Sequence, residues 1–362
     1  MNLGMKAIWN RSMLRAGGMA LVGAALAAGQ STVNVTGGRL MVAAPNGDQS
    51  VKVEVRGTGA RLFGFPGVAD GSLYSGLSGV EETMGTGNDA VEVDVEGGQS
   101  FDVKVDTGSG PATTTVKWKI LPGILSPAAV MVNGTGLGER KVDVVVESEV
   151  NSAVVGIDTG SATEVKTVVK SSNDSAFLRV SSAGTARKSQ FELEAKAQVL
   201  EMDLRATGTN LDDEMVYILK QGRPATVAVD WALDGLAGND KLEATLDAPG
   251  STVTQRGTAL GRGGDDDVKF TTAAFGTATG LVLNGGAGND KREQVIQGRY
   301  LASQTLQTRL LGADGNDILL LTTDTGIFGT GLTGDLFPVI NCGPGVDQFN
   351  AFGQILGCES RL

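Results

Sequence analysis

The chain has 362 residues, of which 53 are glycine and only 9 are proline, a balance typical of tight turns between strands rather than of a disordered linker. It carries 41 Asp and Glu against 30 Lys and Arg, for a net charge of −11, so we expect no nucleic-acid partner. The absence of histidine excludes Ser-His-Asp triads, Cys-His pairs and HExxH zinc sites, which leaves carboxylates, Lys, Arg and Tyr for any catalysis.

Residues 1–27 predict a signal peptide. Three basic residues precede an apolar run of mostly small residues from Ala16 to Ala28, and Ala25-Leu26-Ala27 offers a cleavage signal. The run is too short to cross a bilayer, so we expect no membrane span. The mature protein is therefore expected to be secreted to the extracellular space, or periplasmic in transit.

The segments that follow alternate apolar and polar residues with a period of two, as strands with one buried face do. The clearest examples are Val91–Val95, Phe101–Val105, Val142–Val146 and Thr226–Asp230. Only Phe191–Leu204 also fits a helix, and its alternation with one register shift favours a bulged strand. The sequence thus predicts an all-β chain.

Six segments, here called the glycine turns, repeat one pattern of glycines followed by an acidic residue. From the second copy onward, the last residues of successive copies are 24 to 30 residues apart. A degenerate copy ends at Asp213, 27 residues before the end of the second copy. A repeat near 25 residues predicts stacked coils of a parallel β-helix, or β-solenoid, with the turns along one edge. The alternative is a pair of β-sandwich domains divided near residues 185–210. The six glycine turns are 84–89, 235–240, 261–266, 285–290, 312–317 and 342–347.

The predicted organisation has four parts. The signal peptide at 1–27 is followed by an N-terminal β region or cap at 28–84, a β-solenoid with the glycine turns at 85–341, and a C-terminal cap at 342–362. Cys342 and Cys358 are the only cysteines, and outside the cytoplasm they are expected to form a disulfide. In the chain-entropy model such a bond contributes roughly 3 kcal/mol.

The glycine turns resemble the hemolysin-type, or repeats-in-toxin, calcium-binding motif G-G-x-G-x-D-x-U-x, where U is a large apolar residue. The resemblance implies Ca²⁺ between successive coils, held by aspartate carboxylates and main-chain carbonyls, with U in the core. Unlike the family, this chain has one copy per coil, lacks the second glycine at Leu236, Arg262 and Ala313, and has Arg292 at U after Asp290. The Asp290 turn is therefore the least secure calcium site. The predicted metal ligands are Asp89, Asn239, Asp240, Asp265, Asp266, Asn289, Asp290, Asn316, Asp317 and Asp347.

Elementary electrostatics also favours a cation at these turns. Carboxylates stacked at a strand spacing of about 4.8 Å repel one another, and calcium, which takes six to eight oxygen ligands, converts that repulsion into cross-links. The run Asp265-Asp266-Asp267 is the richest oxygen cluster and the first candidate. The alternative is that Gly, Asn and Asp simply favour tight turns without metal.

The sequence favours a secreted, calcium-binding β-solenoid without catalysis and with a structural or adhesive role. Its expected partners are calcium ions and an extracellular polysaccharide or cell-surface matrix. One alternative is a polysaccharide-active β-helix enzyme of the lyase or epimerase type, with Asp106, Asp158, Arg140 and Lys141 as candidate residues. Another is a binding module that needs no metal.

Overall fold

A computed structural model describes residues 31–44, 47–97, 101–121, 127–133, 139–149, 152–171, 175–298, 307–323, 338–350 and 354–361. The predicted signal peptide lies outside these residues. Every regular element within the described ranges is a β-strand. A helix long and apolar enough to cross a bilayer is not found in the described part of the chain.

There are 25 described strands, numbered here in chain order. The first twelve are β1 Thr32–Thr36, β2 Arg39–Ala43, β3 Ser50–Arg56, β4 Gly59–Phe63, β5 Ser72–Tyr74, β6 Gly79–Thr83, β7 Asp89–Gly97, β8 Phe101–Asp106, β9 Ala112–Ile120, β10 Pro127–Asn133, β11 Arg140–Ser148 and β12 Ser152–Ser171. The others are β13 Ser175–Ala195, β14 Ala197–Thr207, β15 Glu214–Gln221, β16 Thr226–Asp234, β17 Lys241–Gly263, β18 Asp267–Ala287, β19 Lys291–Gly298, β20 Arg309–Leu311, β21 Ile318–Thr323, β22 Val339–Asn341, β23 Gln348–Asn350, β24 Gln354–Leu356 and β25 Ser360–Arg361.

Parallel pairing arranges these strands in two stacked sheets, with about 26 residues per turn. Sheet 1 runs through β2, β6, β8, β10, β14, β16, β20, β22 and β24, and sheet 2 through β3, β7, β9, β11, β15, β19, β21, β23 and β25. The long strands β12, β13, β17 and β18 turn a corner and contribute to both sheets. The predicted β-solenoid is confirmed, and the sandwich alternative is wrong.

The N-terminal end of the solenoid carries antiparallel hairpins. Strand β1 pairs with β2, and β3, β4 and β5 form a meander. Parallel pairing already begins at β2 and β3 and continues to β25. Strands from both flanking regions, 28–84 and 342–361, therefore stack on the solenoid. Strand β1 lies against the outer side of β2, where it shields the unpaired edge of the first coil.

The interior is filled by columns of side chains in parallel register. Sheet 2 stacks Met215 on Leu242 and Leu242 on Val268, and all three are fully buried. Aromatic side chains fill the middle, with the rings of Phe191 and Tyr217 stacked at 5.7 Å. Such burial is the main stabilising contribution, about 25 cal/mol per Å² of apolar surface.

The ambiguous segment Phe191–Leu204 is extended, as the alternation favoured. Its register shift is a corner of the solenoid rather than a bulge within one strand. Strand β13 ends in sheet 2 at Ala195, Lys196 makes the turn, and β14 begins in sheet 1 at Ala197. The corner directs both alanines into the core.

The cysteine pair lies at the C-terminal end. Cys342 and Cys358 are at disulfide distance, with their Cα atoms 5.2 Å apart, as the sequence predicts. Cys342 is fully buried in the last glycine turn. The bond joins that turn to the chain that pairs as β24 and β25.

Candidate functional site

All six glycine turns lie at one corner, where the chain passes from sheet 1 to sheet 2. Each turn presents an exposed residue, polar in every turn but the last, followed by a buried aspartate that points in the opposite direction, as neighbours in extended chain do. The outer column is the exposed set Asp212, Asn239, Asp265, Asn289 and Asn316. The inner column is the buried set Asp213, Asp240, Asp266, Asp290, Asp317 and Asp347, each at most 3% exposed.

In the outer column each side-chain oxygen accepts a backbone N–H from the following coil. The Oδ1 atom of Asn239 accepts from Asp265, that of Asp265 from Asn289, and that of Asn289 from Asn316, at 2.8, 2.8 and 3.0 Å. The Nδ2 group of Asn289 also donates to Asp265 at 3.3 Å. Asparagines on both sides separate the Asp265 carboxylate from other charges in its column, so this column is not a stack of like charges.

In the inner column the hydrogen bonds run in the opposite direction. From Asp240 onward, each Oδ1 atom accepts the backbone N–H of the aspartate in the preceding coil, at 2.8 to 3.0 Å. The column ends where Glu359 accepts the N–H of Asp347 at 2.8 Å. Hydrogen bonds from an amide to a carboxylate contribute about 1.5–3 kcal/mol each, so this ladder is a main link between coils.

The second carboxylate oxygens of the inner column differ from turn to turn. The Oδ2 atoms of Asp240, Asp266 and Asp317 are buried without a hydrogen-bond partner, and so is Oδ2 of Asp89. Loss of hydration raises the pKa of Asp240 to about 6 and that of Asp266 to about 7, and repulsion from neighbouring aspartates adds to both. Burial of a charged carboxylate without a partner lowers stability, so a proton or a bound cation would stabilise these oxygens.

Two inner-column aspartates have partners of their own. In the degenerate turn, Thr209 donates its backbone N–H to Oδ2 of Asp213 at 2.6 Å and its hydroxyl to Oδ1 at 2.9 Å. In the fourth glycine turn, Arg292 donates to Oδ2 of Asp290 at 2.5 Å. The unpartnered oxygens are therefore confined to particular turns.

The first glycine of a turn lies so close to Oδ2 that a side chain there would clash. A Cβ atom at Gly261 would overlap Oδ2 of Asp266 and the carbonyl oxygen of Gly285, the first glycine of the next turn. At Gly312 a Cβ would overlap Oδ2 of Asp317 and the carbonyl oxygen of Cys342. We call each such pair, a carboxylate Oδ2 and the carbonyl oxygen of the next turn's first residue, an oxygen seat.

Oxygen seats have the donor chemistry that hard cations prefer. No three Asp, Glu or Cys side chains among the described residues form a metal-binding group. Each seat brings together one carboxylate oxygen and one main-chain carbonyl oxygen, so a cation there would complete its coordination with further backbone oxygens or water. The residues fit a cation of this kind, and they do not form a cage of carboxylates.

The second position of the last five glycine turns has a left-handed backbone even where glycine is missing. Leu236, Arg262 and Ala313 have φ of 77°, 79° and 93°, close to 96° at Gly286 and 87° at Gly343. A left-handed conformation costs a residue with a side chain roughly 1–2 kcal/mol. The turn geometry is therefore kept at the expense of backbone strain.

The structure separates residues that the sequence groups together. Asp265 belongs to the outer column, Asp266 to the inner column, and Asp267 is exposed at the start of β18, so the three do not form the single oxygen cluster expected of them. Asp89 lies in a second, N-terminal part of the ladder, where its Oδ1 accepts the N–H of Gln49 at 3.2 Å. Asp48 accepts the N–H of Asn88 at 2.8 Å there.

Sequence reasoning missed the roles of Asp48 and Arg292. Asp48 follows Asn46-Gly47, a turn signal that does not match the glycine-turn pattern. Arg292 was noted as a departure at the U position, but its contacts could not be inferred. Of the residues considered for an enzyme, Asp106 and Asp158 lie in sheet 1 and each accepts a glycine N–H two residues ahead at 3.0 Å, while Arg140 and Lys141 lie in sheet 2.

Between the two parts of the ladder, the same corner carries two shallow concavities. One, of about 380 Å³, lies between Asn88 and Lys141, and the other, of about 390 Å³, between Thr163 and Glu214. They meet where Lys141 and Glu164 pair at 3.8 Å. We call the two together the edge groove. It is lined mainly by hydroxyl, carboxylate and basic side chains.

Comparison with protein-family models, curated proteins and solved structures finds no match to this chain. The class of protein is thus defined by the fold itself. It is a β-solenoid whose coils are joined along one edge by two columns of Asp and Asn side chains.

Proposed function

We propose that this protein is a secreted structural component, without catalysis, whose coils are locked together by calcium at the oxygen seats of the inner column. The supporting observation is the unpartnered, buried Oδ2 of Asp240, Asp266 and Asp317. At Asp266 and Asp317 it lies next to a carbonyl of the following coil. Extracellular calcium would neutralise these carboxylates.

The residues of the chain explain why such locking depends on the cation. Backbone amides already occupy Oδ1 of each inner aspartate and hold its carboxylate in place. A cation that binds the folded seats and not the unfolded chain stabilises the fold by mass action. Where calcium is scarce, Asp240 and Asp266 retain protons or repel each other, and the coils are held less firmly.

Asp266 and Asp265 provide a matched pair of variants to test the proposal. Asp266→Asn keeps the oxygen that accepts the Asp240 N–H and places an amide next to the Gly285 carbonyl. We expect it to remove much of the calcium-dependent rise in melting temperature and to be at least as stable as wild type in chelator. Asp265→Asn changes the exposed column and should leave the calcium response intact.

Thermal unfolding with EDTA and with millimolar calcium chloride measures both effects. A wild-type melting temperature that does not respond to calcium would refute the proposal. An equal loss of response in both variants would place the cation elsewhere on the turn.

For the adhesive role we propose that the edge groove binds an extracellular polysaccharide. The groove follows the solenoid axis across several coils, which suits an extended polymer, and it offers hydroxyls, carboxylates and the basic Lys141, Arg187 and Lys188 as hydrogen-bonding groups. Cosedimentation with insoluble polysaccharides tests this. Lys188→Ala should reduce binding, whereas Lys269→Ala, which removes a basic residue from another coil of sheet 2, should not; equal binding by all three proteins would refute it.

A further inference from the structure

Arg292 is the largest fully buried side chain among the described residues, and it lies in a column of apolar residues. In sheet 2 it stacks between Val268 and Leu319, both fully buried. Its Nη2 group donates to Oδ2 of Asp290 at 2.5 Å, to Oδ1 of Asp317 at 3.1 Å and to the carbonyl of Gly312 at 3.3 Å. Its Nε and Nη1 groups have no partner. All hydrogen bonds of this guanidinium are thus made by Nη2, which lies at one place, among three oxygen atoms of two neighbouring turns.

That place is an oxygen seat. Gly312 is the first residue of the turn after Asp290, just as Gly285 follows Asp266 and Cys342 follows Asp317. A Cβ at Gly285 would overlap Oδ2 of Asp290 and Nη2 of Arg292 together. The guanidinium therefore lies, at this turn, beside the first glycine and Oδ2, where at Asp266 and Asp317 the closest other group is a carbonyl oxygen of the next turn.

We infer that Arg292 is a built-in cation that replaces a metal ion at the Asp290 seat. Arg292 shows that an oxygen seat accepts a positive charge. Because its guanidinium always occupies the Asp290 seat, the seats of Asp266 and Asp317 lie on either side of an occupied one. The inference deepens the proposed function and rests on it for the neighbouring seats. Its own consequence is that removing the guanidinium creates a metal site that wild type lacks.

A substitution to the residue type found at neighbouring U positions tests this. In Arg292→Leu, Oδ2 of Asp290 loses its hydrogen-bond partner and stays buried. We expect one more calcium ion bound per chain than in wild type by equilibrium dialysis. The melting temperature should be lower than that of wild type in EDTA, and its rise on adding millimolar calcium chloride should be larger.

Two further variants serve as controls. Lys291→Leu removes a positive charge from the adjacent, outward-facing position, where it pairs with Glu293 at 3.7 Å, and should bind the wild-type amount of calcium. The double variant Asp290→Asn, Arg292→Leu removes both charges. It should regain stability in EDTA relative to Arg292→Leu and bind no additional ion.

The inference is overturned if Arg292→Leu binds no more calcium than wild type, or if the double variant gains the same extra ion. It is also overturned if Arg292→Leu fails to fold in calcium, whether or not the double variant folds. If wild type binds no calcium but Arg292→Leu binds one ion, the inference stands and the calcium proposal for the native ladder fails. If wild type binds calcium but Arg292→Leu binds no additional ion, the inference about Arg292 is refuted and the calcium proposal stands.

Discussion

Glu82 is an acidic side chain of the N-terminal coils that lies in the solenoid core, among apolar neighbours. It stacks between Val42 and Val105 in sheet 1 and is fully buried, and neither carboxyl oxygen has a hydrogen-bond partner. Loss of hydration raises the pKa of Glu82 to about 8. The folded protein therefore holds this carboxyl in its neutral form, whereas the unfolded chain releases the proton near its ordinary pKa of 4.5.

The sign and size of the pH effect follow from linkage. Between pH 4.5 and 8 the folded state binds the proton and the unfolded state does not, so the free energy of unfolding falls as pH rises. The pKa difference corresponds to about 5 kcal/mol over the whole window, of which about 3 kcal/mol is lost by pH 7. Below pH 4.5 both states are protonated and the effect vanishes.

Glu82→Val matches the neighbours in its column and removes this loss. We expect the variant to exceed wild type by about 3 kcal/mol in free energy of unfolding at pH 7, with the difference shrinking as pH approaches 4.5. Urea unfolding followed by far-ultraviolet circular dichroism at several pH values measures it. Subtracting the free energies of unfolding of the two proteins isolates the contribution of Glu82. Asp240 and Asp266, whose raised pKa values also lower stability as pH rises, contribute equally to both proteins.

Glu81→Gln is the control, because Glu81 lies on the outer face and pairs with Lys104 at 2.8 Å. Such surface pairs contribute at most about 1 kcal/mol, and because Glu82 is unchanged in this variant, the fall in free energy of unfolding between pH 4.5 and 8 should remain. If Glu82→Val shows the same pH dependence as wild type, or is less stable at pH 8, then Glu82 is not a buried neutral acid.

Two further predictions concern the turns. Leu236→Gly relieves the strain of a left-handed backbone and should raise the free energy of unfolding by up to about 1 kcal/mol. Leu211→Gly, at an exposed position without positive φ, should lower the free energy of unfolding. A lower free energy of unfolding in both variants would mean that Leu236 is not strained. Asn289→Asp places a second carboxylate beside Asp265 and should lower the free energy of unfolding by about 0.5–1 kcal/mol at low salt and by less at high salt. Asn316→Asp, which lies between Asn289 and Val346, should lower it less. Equal, salt-independent costs would show that repulsion in the outer column is not the cause.

Much of the architecture is written in the sequence because a solenoid repeats one local pattern. Period-two alternation identifies strands such as β7 and β11, and the recurrence of an aspartate every 24 to 30 residues from Asp213 onward places one turn in each of the later coils. Since parallel stacking keeps equivalent residues in register, the same count puts all glycine turns on one edge. The pairing of Cys342 with Cys358 needed only the fact that no other cysteine exists.

What the tertiary structure decided is the direction and the partner of each polar side chain. Asp265 and Asp266 are neighbours in sequence, but one faces solvent and the other the interior, because the corner sets the phase of the alternation. The oxygen seats join atoms from different coils, so no local pattern reveals which Oδ2 lacks a partner. Only contacts across coils show that Arg292 fills one seat, and that Glu82 lies between two valines where its proton is retained.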